Sequence, residues 1–174
     1  MRRAELRLPS EPMRLQRSNK ETWNDGRSID RADFFTIGYT GRTLEDLISV
    51  MKTAGVASLV DIRHNPVSMY RPELSKGNLQ RAVEASGIHY YHVRGLGVPR
   101  GIRVLAVDGD SRDVIWDWYD ANVIPAFAGR NLHWFFNAIE HPAALMCAEF
   151  DPTACHRHRL SVALEGHGLM GFEL

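Results

Sequence analysis

The chain has 174 residues, 44% of them hydrophobic and 24% charged, with Lys+Arg and Asp+Glu balanced at 21 each. That length fits one domain with a proper buried core, and the composition is that of an ordinary globular protein. A formal net charge of zero excludes a protein that coats nucleic acid by bulk electrostatics, although a local basic cluster can still hold a phosphate.

Residues 1 to 32 are rich in Arg, Ser, Asn and Asp, carry Pro9 and Pro12, and show no sustained apolar period. They read as a flexible basic N-terminal tail with Trp23 as its one anchor. Met1-Arg2-Arg3 has no apolar stretch behind it, so neither a signal peptide nor a twin-arginine leader is expected. No run approaches the roughly 20 apolar residues that a membrane span needs.

A single domain is expected over 33–174. Phe34 to Gly38 reads as a buried strand. Thr43 then caps a helix with Leu44, Leu47, Ile48 and Met51 on one face, and Gly55 ends it. Ala57 to Ile62 is a second buried strand. Ser75 caps a second helix, with Leu79, Ala82 and Val83 inward and Gly87 as the stop. Ile88 to Val93 is a third strand. Residues 111–140 read as helix in two pieces broken near Pro125 and Gly129, with Trp116, Tyr119, Phe127, Trp134 and Phe135 for packing. Ala143 to Glu149 is a fourth strand, 152–166 a final helix closed by Gly166 or Gly168, and Gly171 to Leu174 a short last strand. This alternation implies a three-layer α/β/α domain on a mainly parallel sheet of about four to five strands.

The chemistry-bearing residues gather where strands end, which is where an open α/β sheet places its ligands. The second strand closes with Asp61-Ile62-Arg63 and the fourth with Cys147-Ala148-Glu149. Alternation puts Asp61 with Arg63 on one face, and Cys147 with Glu149 on one face. If the two strands are neighbours, all four converge. Against this stand two plain alternatives: Asp61 and Arg63 as an ion pair at the sheet edge, and Cys147 as a small buried hydrophobe. Glu149 needs a partner, and Arg63 or Arg157 can supply one.

At about 100° per residue, the final helix has Leu160, Ala163 and Leu164 on its apolar side. His156 falls within that stripe, Arg157 on one flank, and Cys155 with Arg159 on the other, while His158 points to solvent. With Asp151 as N-cap and Pro152 in the first turn, Cys155 lies at a positive helix end that lowers a thiol pKa. Cys155 is therefore the better candidate for a reactive thiol, and His156 can orient Glu149 or Asp61.

Three chemistries fit. One is an anion or phosphate-ester site, with Arg63 and Arg157 binding charge and Asp61 or Glu149 as acid/base. The second is thiol chemistry, with Cys155 or Cys147 as nucleophile beside His156. The third, a metal at Cys147, Glu149, Cys155 and His156, matches none of the usual two-cysteine zinc spacings and is not expected. A phosphatase loop is excluded because the cysteine-to-arginine spacing is wrong, and no glycine-rich phosphate loop is present. Arg71 and Lys76 can close over an anion with Tyr70 as a stacking surface, and the glycine-rich loop from Gly95 to Gly101 can approach a ligand closely. Two cysteines eight positions apart are too few for a secreted disulfide scaffold, so a cytoplasmic protein is expected.

These motifs resemble the DUF488 family of small bacterial and archaeal proteins. The matching segments are Thr36-Ile37-Gly38-Tyr39-Thr40 into Arg42-Thr43-Leu44, Leu59-Val60-Asp61-Ile62-Arg63 with Pro66 and Ser68, and Arg71-Pro72. Gly87-Ile88-His89-Tyr90, Leu96-Gly97, Cys147-Ala148-Glu149 and Cys155-His156-Arg157 also match. The chain departs from the pattern at Val98, where the family has a glycine, and at Leu74, where it has an aromatic. The resemblance implies a compact α/β fold with the two motifs in a shared site, and it brings no established substrate, reaction or cofactor. The expectation is an anion-accepting pocket with carboxylate or cysteine chemistry. The alternative is a non-catalytic module for nucleotide or nucleic-acid phosphate.

Overall fold

The computed structural model describes residues 29–108, 111–128 and 132–174. The tail's first 28 residues with the expected anchor Trp23, the break at Gly129 and the side chain of Trp134 lie outside the described residues. Ile29–Arg31 form a short 3-10 turn, and Ala32 is buried.

One parallel five-stranded sheet runs through the domain: β1 (Phe34–Gly38), β2 (Ser58–Asp61), β3 (His89–His92), β4 (Ala143–Cys147) and β5 (Gly171–Glu173), in the order β3-β2-β4-β1-β5. The α/β expectation holds. β1 and β4 are buried along their whole length, as expected of strands covered on both faces, with Thr36 the one polar residue and its hydroxyl satisfied by Glu173.

Helix α1 (Leu44–Thr53) starts with a capping box, in which Thr43 accepts from the Asp46 amide and Asp46 accepts from the Thr43 amide. Such a cap contributes about 1 kcal/mol. The burial of Leu47 and Met51, at about 1.5–3 kcal/mol each, is what docks the helix. Gly55 at φ 71° turns the chain out of it. Helix α2 (Lys76–Ala85) buries Leu79 and Val83 on the same side of the sheet. The hydroxyl of Ser75 does not cap α2 as expected. It accepts from the Ser68 amide and donates to the Ser68 carbonyl, bracing the preceding loop.

The other face carries α3 (Arg100–Asp108), α4 (Asp113–Asn122), the single turn α5 (Ile124–Ala126), α6 (Leu132–Asn137) and α7 (Arg157–Gly166). Tyr119, Phe127, Phe135, Leu160 and Leu164 pack there against Phe34, Val60, Ile62, Leu145 and Cys147. Two cores, one on each face, complete the three layers. The chain breaks at Val123, ahead of Pro125 in the first turn of α5.

Three expectations need correction. Residues 100–108, read only as part of or just beyond a flexible loop, form α3. Ile102, Leu105 and Ala106 fall at helical spacing, with Ile102 and Ala106 inward and Val104 and Leu105 exposed, so the period was there to be read but follows directly on the glycine-rich loop. The final helix begins at Arg157 rather than 152. Asp151 takes the Thr153 amide and hydroxyl, closing a 3-10 turn over Pro152–Ala154, and Cys155 leaves that turn extended at φ −129°, ψ 144°. β4 likewise ends at Cys147, two residues short of Glu149.

Candidate functional site

β4 lies between β2 and β1, so the strands carrying the two motifs are neighbours. Their register, however, pairs Asp61 with Met146 and Gly38 with Cys147. Paired residues of a parallel sheet share a face, and a one-residue offset changes the face. Asp61 therefore points with Tyr90 and Met146 toward α1 and α2, whereas Cys147 points with Ile62 and Leu145 toward α7.

Asp61 is fully buried and fully engaged. Its Oδ1 accepts from Arg63 Nε at 2.8 Å, and its Oδ2 accepts from Arg63 Nη2 and the Tyr90 hydroxyl, each at 2.6 Å. Arg63 Nη1 donates to the Leu74 carbonyl at 2.9 Å, and its guanidinium lies 5.2 Å from the Tyr39 ring centroid. Burial pushes the Tyr90 hydroxyl well above its usual range, and the Asp61 charge pushes the same way.

On the other face four functional groups meet. Cys147 Sγ lies 3.4 Å from Glu149 Oε2 and 3.8 Å from each ring nitrogen of His156, and Cys155 Sγ lies 3.9 Å from His156 Nδ1. His156 Nε2 reaches the Ile62 carbonyl at 3.4 Å, and its ring tilts against Tyr119. The turn out of the 3-10 segment brings Cys155 and His156, adjacent in sequence, to one place. Both cysteines are free and buried.

The hydrogen bond from the Cys147 thiol lowers the Cys155 pKa to about 6 against the opposing effect of burial, and His156 adds to the lowering. Cys147 moves well above its usual range, through its bond to Cys155, through burial, and through the charges of Cys155 and Glu149. Burial alone would raise the Glu149 carboxyl, but hydrogen bonds from the two thiols outweigh it and hold it below the usual range.

The cluster forms the floor of a cavity of about 630 Å³ at the carboxyl edge of the sheet. Cys147, Glu149 and His156 line it below, and Arg103, Arg112, His64 and Trp116 line its sides. Arg112 donates to the Ala154 carbonyl, tying the wall to the 3-10 turn. Partial burial and the charges of Arg94 and Arg103 hold His64 below its ordinary pKa. The lining also includes Arg63, whose guanidinium is committed to Asp61.

Arg157 is buried beneath the cluster. It donates to the carbonyls of Glu149 and Phe150 and pairs with Glu173 at 2.8 Å. The Glu173 carboxylate also accepts from the Thr36 hydroxyl. Burial opposes the Arg157 charge, but Glu173 overrides it and raises the pKa. Arg71 binds Glu73 and the Tyr39 carbonyl, Lys76 Nζ sits 3.4 Å from His92 Nδ1, and Tyr70 is 94% exposed. None of these three lines the cavity.

Sequence reasoning thus found the floor of the cavity and missed its wall. Arg103, on α3, and Arg112, at the cap of α4, carry no motif of their own. The one signal was the glycine-rich loop after β3, from which α3 departs.

Among the described residues, no helix is long and apolar enough to cross a membrane. No curated protein and no solved structure matches the chain. The family model described as "Domain of unknown function DUF488" matches residues 43–164, a span that runs from the cap of α1 through the Asp61, Cys147 and Cys155 motifs into α7, and the chain belongs to that family.

Proposed function

We propose that the chain is an enzyme acting on a small anionic, phosphate-bearing substrate in the cavity at the carboxyl edge of the sheet. Arg103 and Arg112 hold the charge, Glu149 moves the proton, and the Cys147 sulfur, backed by Cys155, is the electron-rich group that the substrate meets. The observation that carries this reading is the facing of a guanidinium wall and a thiol–carboxylate floor across one cavity. A concave site that gathers opposed charge and titratable groups with shifted pKa values is where acid/base chemistry is expected.

A second reading is a non-catalytic module for nucleotide or nucleic-acid phosphate. It is favoured by Trp116, an aromatic side chain that lines the same cavity as Arg112 and carries the Arg159 guanidinium 5.6 Å from its ring centroid.

Alkylation of Cys147 by iodoacetamide, with and without inorganic phosphate or pyrophosphate, tests the first reading. It is resolved from Cys155 by mass spectrometry, at an alkaline pH where the raised Cys147 thiol begins to ionise. Phosphate protection of the thiol in the wild type, together with phosphate-ester turnover abolished by Glu149→Gln, is the expected result. Protection without turnover of any phosphate ester supports the binding module instead, and no protection removes the anion site.

A further inference from the structure

We infer that Cys147, Cys155 and His156 form a binding site for a thiophilic divalent cation of the zinc class, with the fourth position left to a water or substrate oxygen. The inference deepens the proposed function by saying what the sulfur pair holds, and it rests on that reading only for the cavity through which the ion enters.

The donor atoms of Cys147, Cys155 and His156 all lie within 4.8 Å of one another. In a tetrahedral zinc site with Zn–S of about 2.3 Å and Zn–N of about 2.0–2.1 Å, neighbouring ligand atoms sit about 3.5–3.8 Å apart. The separations of 3.8 Å from Cys147 Sγ to His156 and 3.9 Å from Cys155 Sγ to His156 Nδ1 fall at or near those edges.

The imidazole is also held as a ligand is held. His156 Nδ1 is within reach of both sulfurs, while Nε2 turns to the Ile62 carbonyl at 3.4 Å. Such an outer hydrogen bond fixes the ring and the tautomer of a metal-binding histidine. Arg157 clamps the Glu149 and Phe150 carbonyls from beneath, so the segment bearing the carboxylate does not drift.

Two sulfurs and an imidazole select a soft or borderline ion over magnesium or calcium, which take oxygen donors. The sequence spacing hid this set because Cys155 and His156 are consecutive. They converge only because the backbone changes from extended to helical between them.

The test is a titration of the reduced, chelator-treated full chain with Co²⁺ alone. The expected result is one ion per chain, with the intense visible bands of four-coordinate cobalt and a sulfur-to-cobalt charge-transfer band, all bleached by stoichiometric Zn²⁺. The chain has only two cysteines, so that charge-transfer band assigns the site without any variant. Loss of a second-shell partner weakens metal affinity about 10–100-fold, so Cys147→Ser and Cys155→Ser should each exceed the upper figure, and the exposed His158→Ala should change nothing. Cobalt bound without the sulfur band, or no binding at one per chain, overturns the site. Failure of phosphate to protect Cys147 leaves this titration intact, and failure of the titration leaves anion binding at Arg103 and Arg112 intact, so the two readings fall separately.

Discussion

Arg63 grips the Asp61 carboxylate through two parallel hydrogen bonds of 2.8 and 2.6 Å, with both side chains buried. The pair is a strut, because its remaining contacts, Tyr90 to the carboxylate and Leu74 to the guanidinium, tie β3 and the turn before α2 to the end of β2. Breaking one half of a buried pair leaves an uncompensated charge and costs about 3–5 kcal/mol, whereas replacing both halves with apolar groups is often neutral. Asp61→Ala should therefore lower stability by that amount in chemical denaturation, and Asp61→Leu with Arg63→Met should recover most of it. Equal loss in the single and double variants would show that the pair itself, not its orphaned member, is what stabilises the fold.

A second prediction concerns the backbone behind Glu149. The β1–β4 pairing continues past Cys147 through the Tyr39 and Thr40 amides, which brings the Glu149 carbonyl against Gly38. A Cβ at Gly38 would overlap that carbonyl, while one at Gly101 would meet open space. Gly38→Ala must push the Glu149 backbone away, with a cost of about 1–3 kcal/mol for an overpacked site. Gly101→Ala should be neutral or stabilise α3 by about 0.5–1 kcal/mol. Paired thermal melts read the contrast, and similar values for the two variants would remove the close approach as a constraint.

The outline of the fold was legible because its strands are short apolar runs set off by capping and stop residues. Thr43 and Gly55 bracket α1 as expected. The shared site was half legible. Alternation correctly groups Asp61 with Arg63 and Cys147 with Glu149, but which face each group takes depends on register between strands more than 80 positions apart. That register pairs Asp61 with Met146, and a single residue of offset separates the two motifs. The misplacement of Cys155 has a local cause: Pro152 and Asp151 fit the first turn of an α-helix as well as they fit the 3-10 turn they make. The wall of the cavity was illegible because Arg103 and Arg112 meet the cluster only through tertiary packing.

The third prediction separates the two thiols by their protonation. In the metal-free, reduced chain, Cys155 has its pKa lowered to about 6 by the Cys147 hydrogen bond, and Cys147 is raised. Cys155 is then thiolate above that pH and thiol below it, while Cys147 stays protonated through neutrality. Thiolate ultraviolet absorbance, which needs no access to the buried sulfur, should rise by one group through about pH 6. The step should vanish in Cys155→Ser and move upward in Cys147→Ser, which loses the donor. A wild-type step that appears only near the ordinary thiol range would contradict the arrangement.

The fourth prediction concerns Arg157, which anchors the site from below. Its guanidinium serves two carbonyls and Glu173 at once, a fork that a lysine ammonium does not reproduce. Arg157→Lys should cost about 3–6 kcal/mol, since charged hydrogen bonds contribute about 1.5–3 kcal/mol each and two of the three are lost. Glu173→Gln should cost less, because both backbone carbonyls keep their donor. Hydrogen exchange at β5, which the pair ties to α7, should increase in both variants.

Removing the wall should weaken anion binding without weakening the fold. Arg103 and Arg112 are exposed, and exposed charges contribute little to stability. Arg103→Ala should leave the melting temperature within about 2–4 °C, the shift expected for changes near 1 kcal/mol in a chain of this size, and weaken phosphate protection of Cys147 about tenfold. Arg112 also donates to the Ala154 carbonyl, so Arg112→Ala should add some disorder to the turn that presents Cys155. The double variant should lose protection altogether. Salt sharpens the test, because charges on the open side of the cavity are screened within about 8–10 Å at ordinary ionic strength. Protection in the wild type should therefore fall as salt rises, and the residual protection in Arg103→Ala should fall less steeply, having one cation fewer to screen. If both variants retain full protection at low salt, the anion is held by other groups and the guanidinium wall has no part in the site.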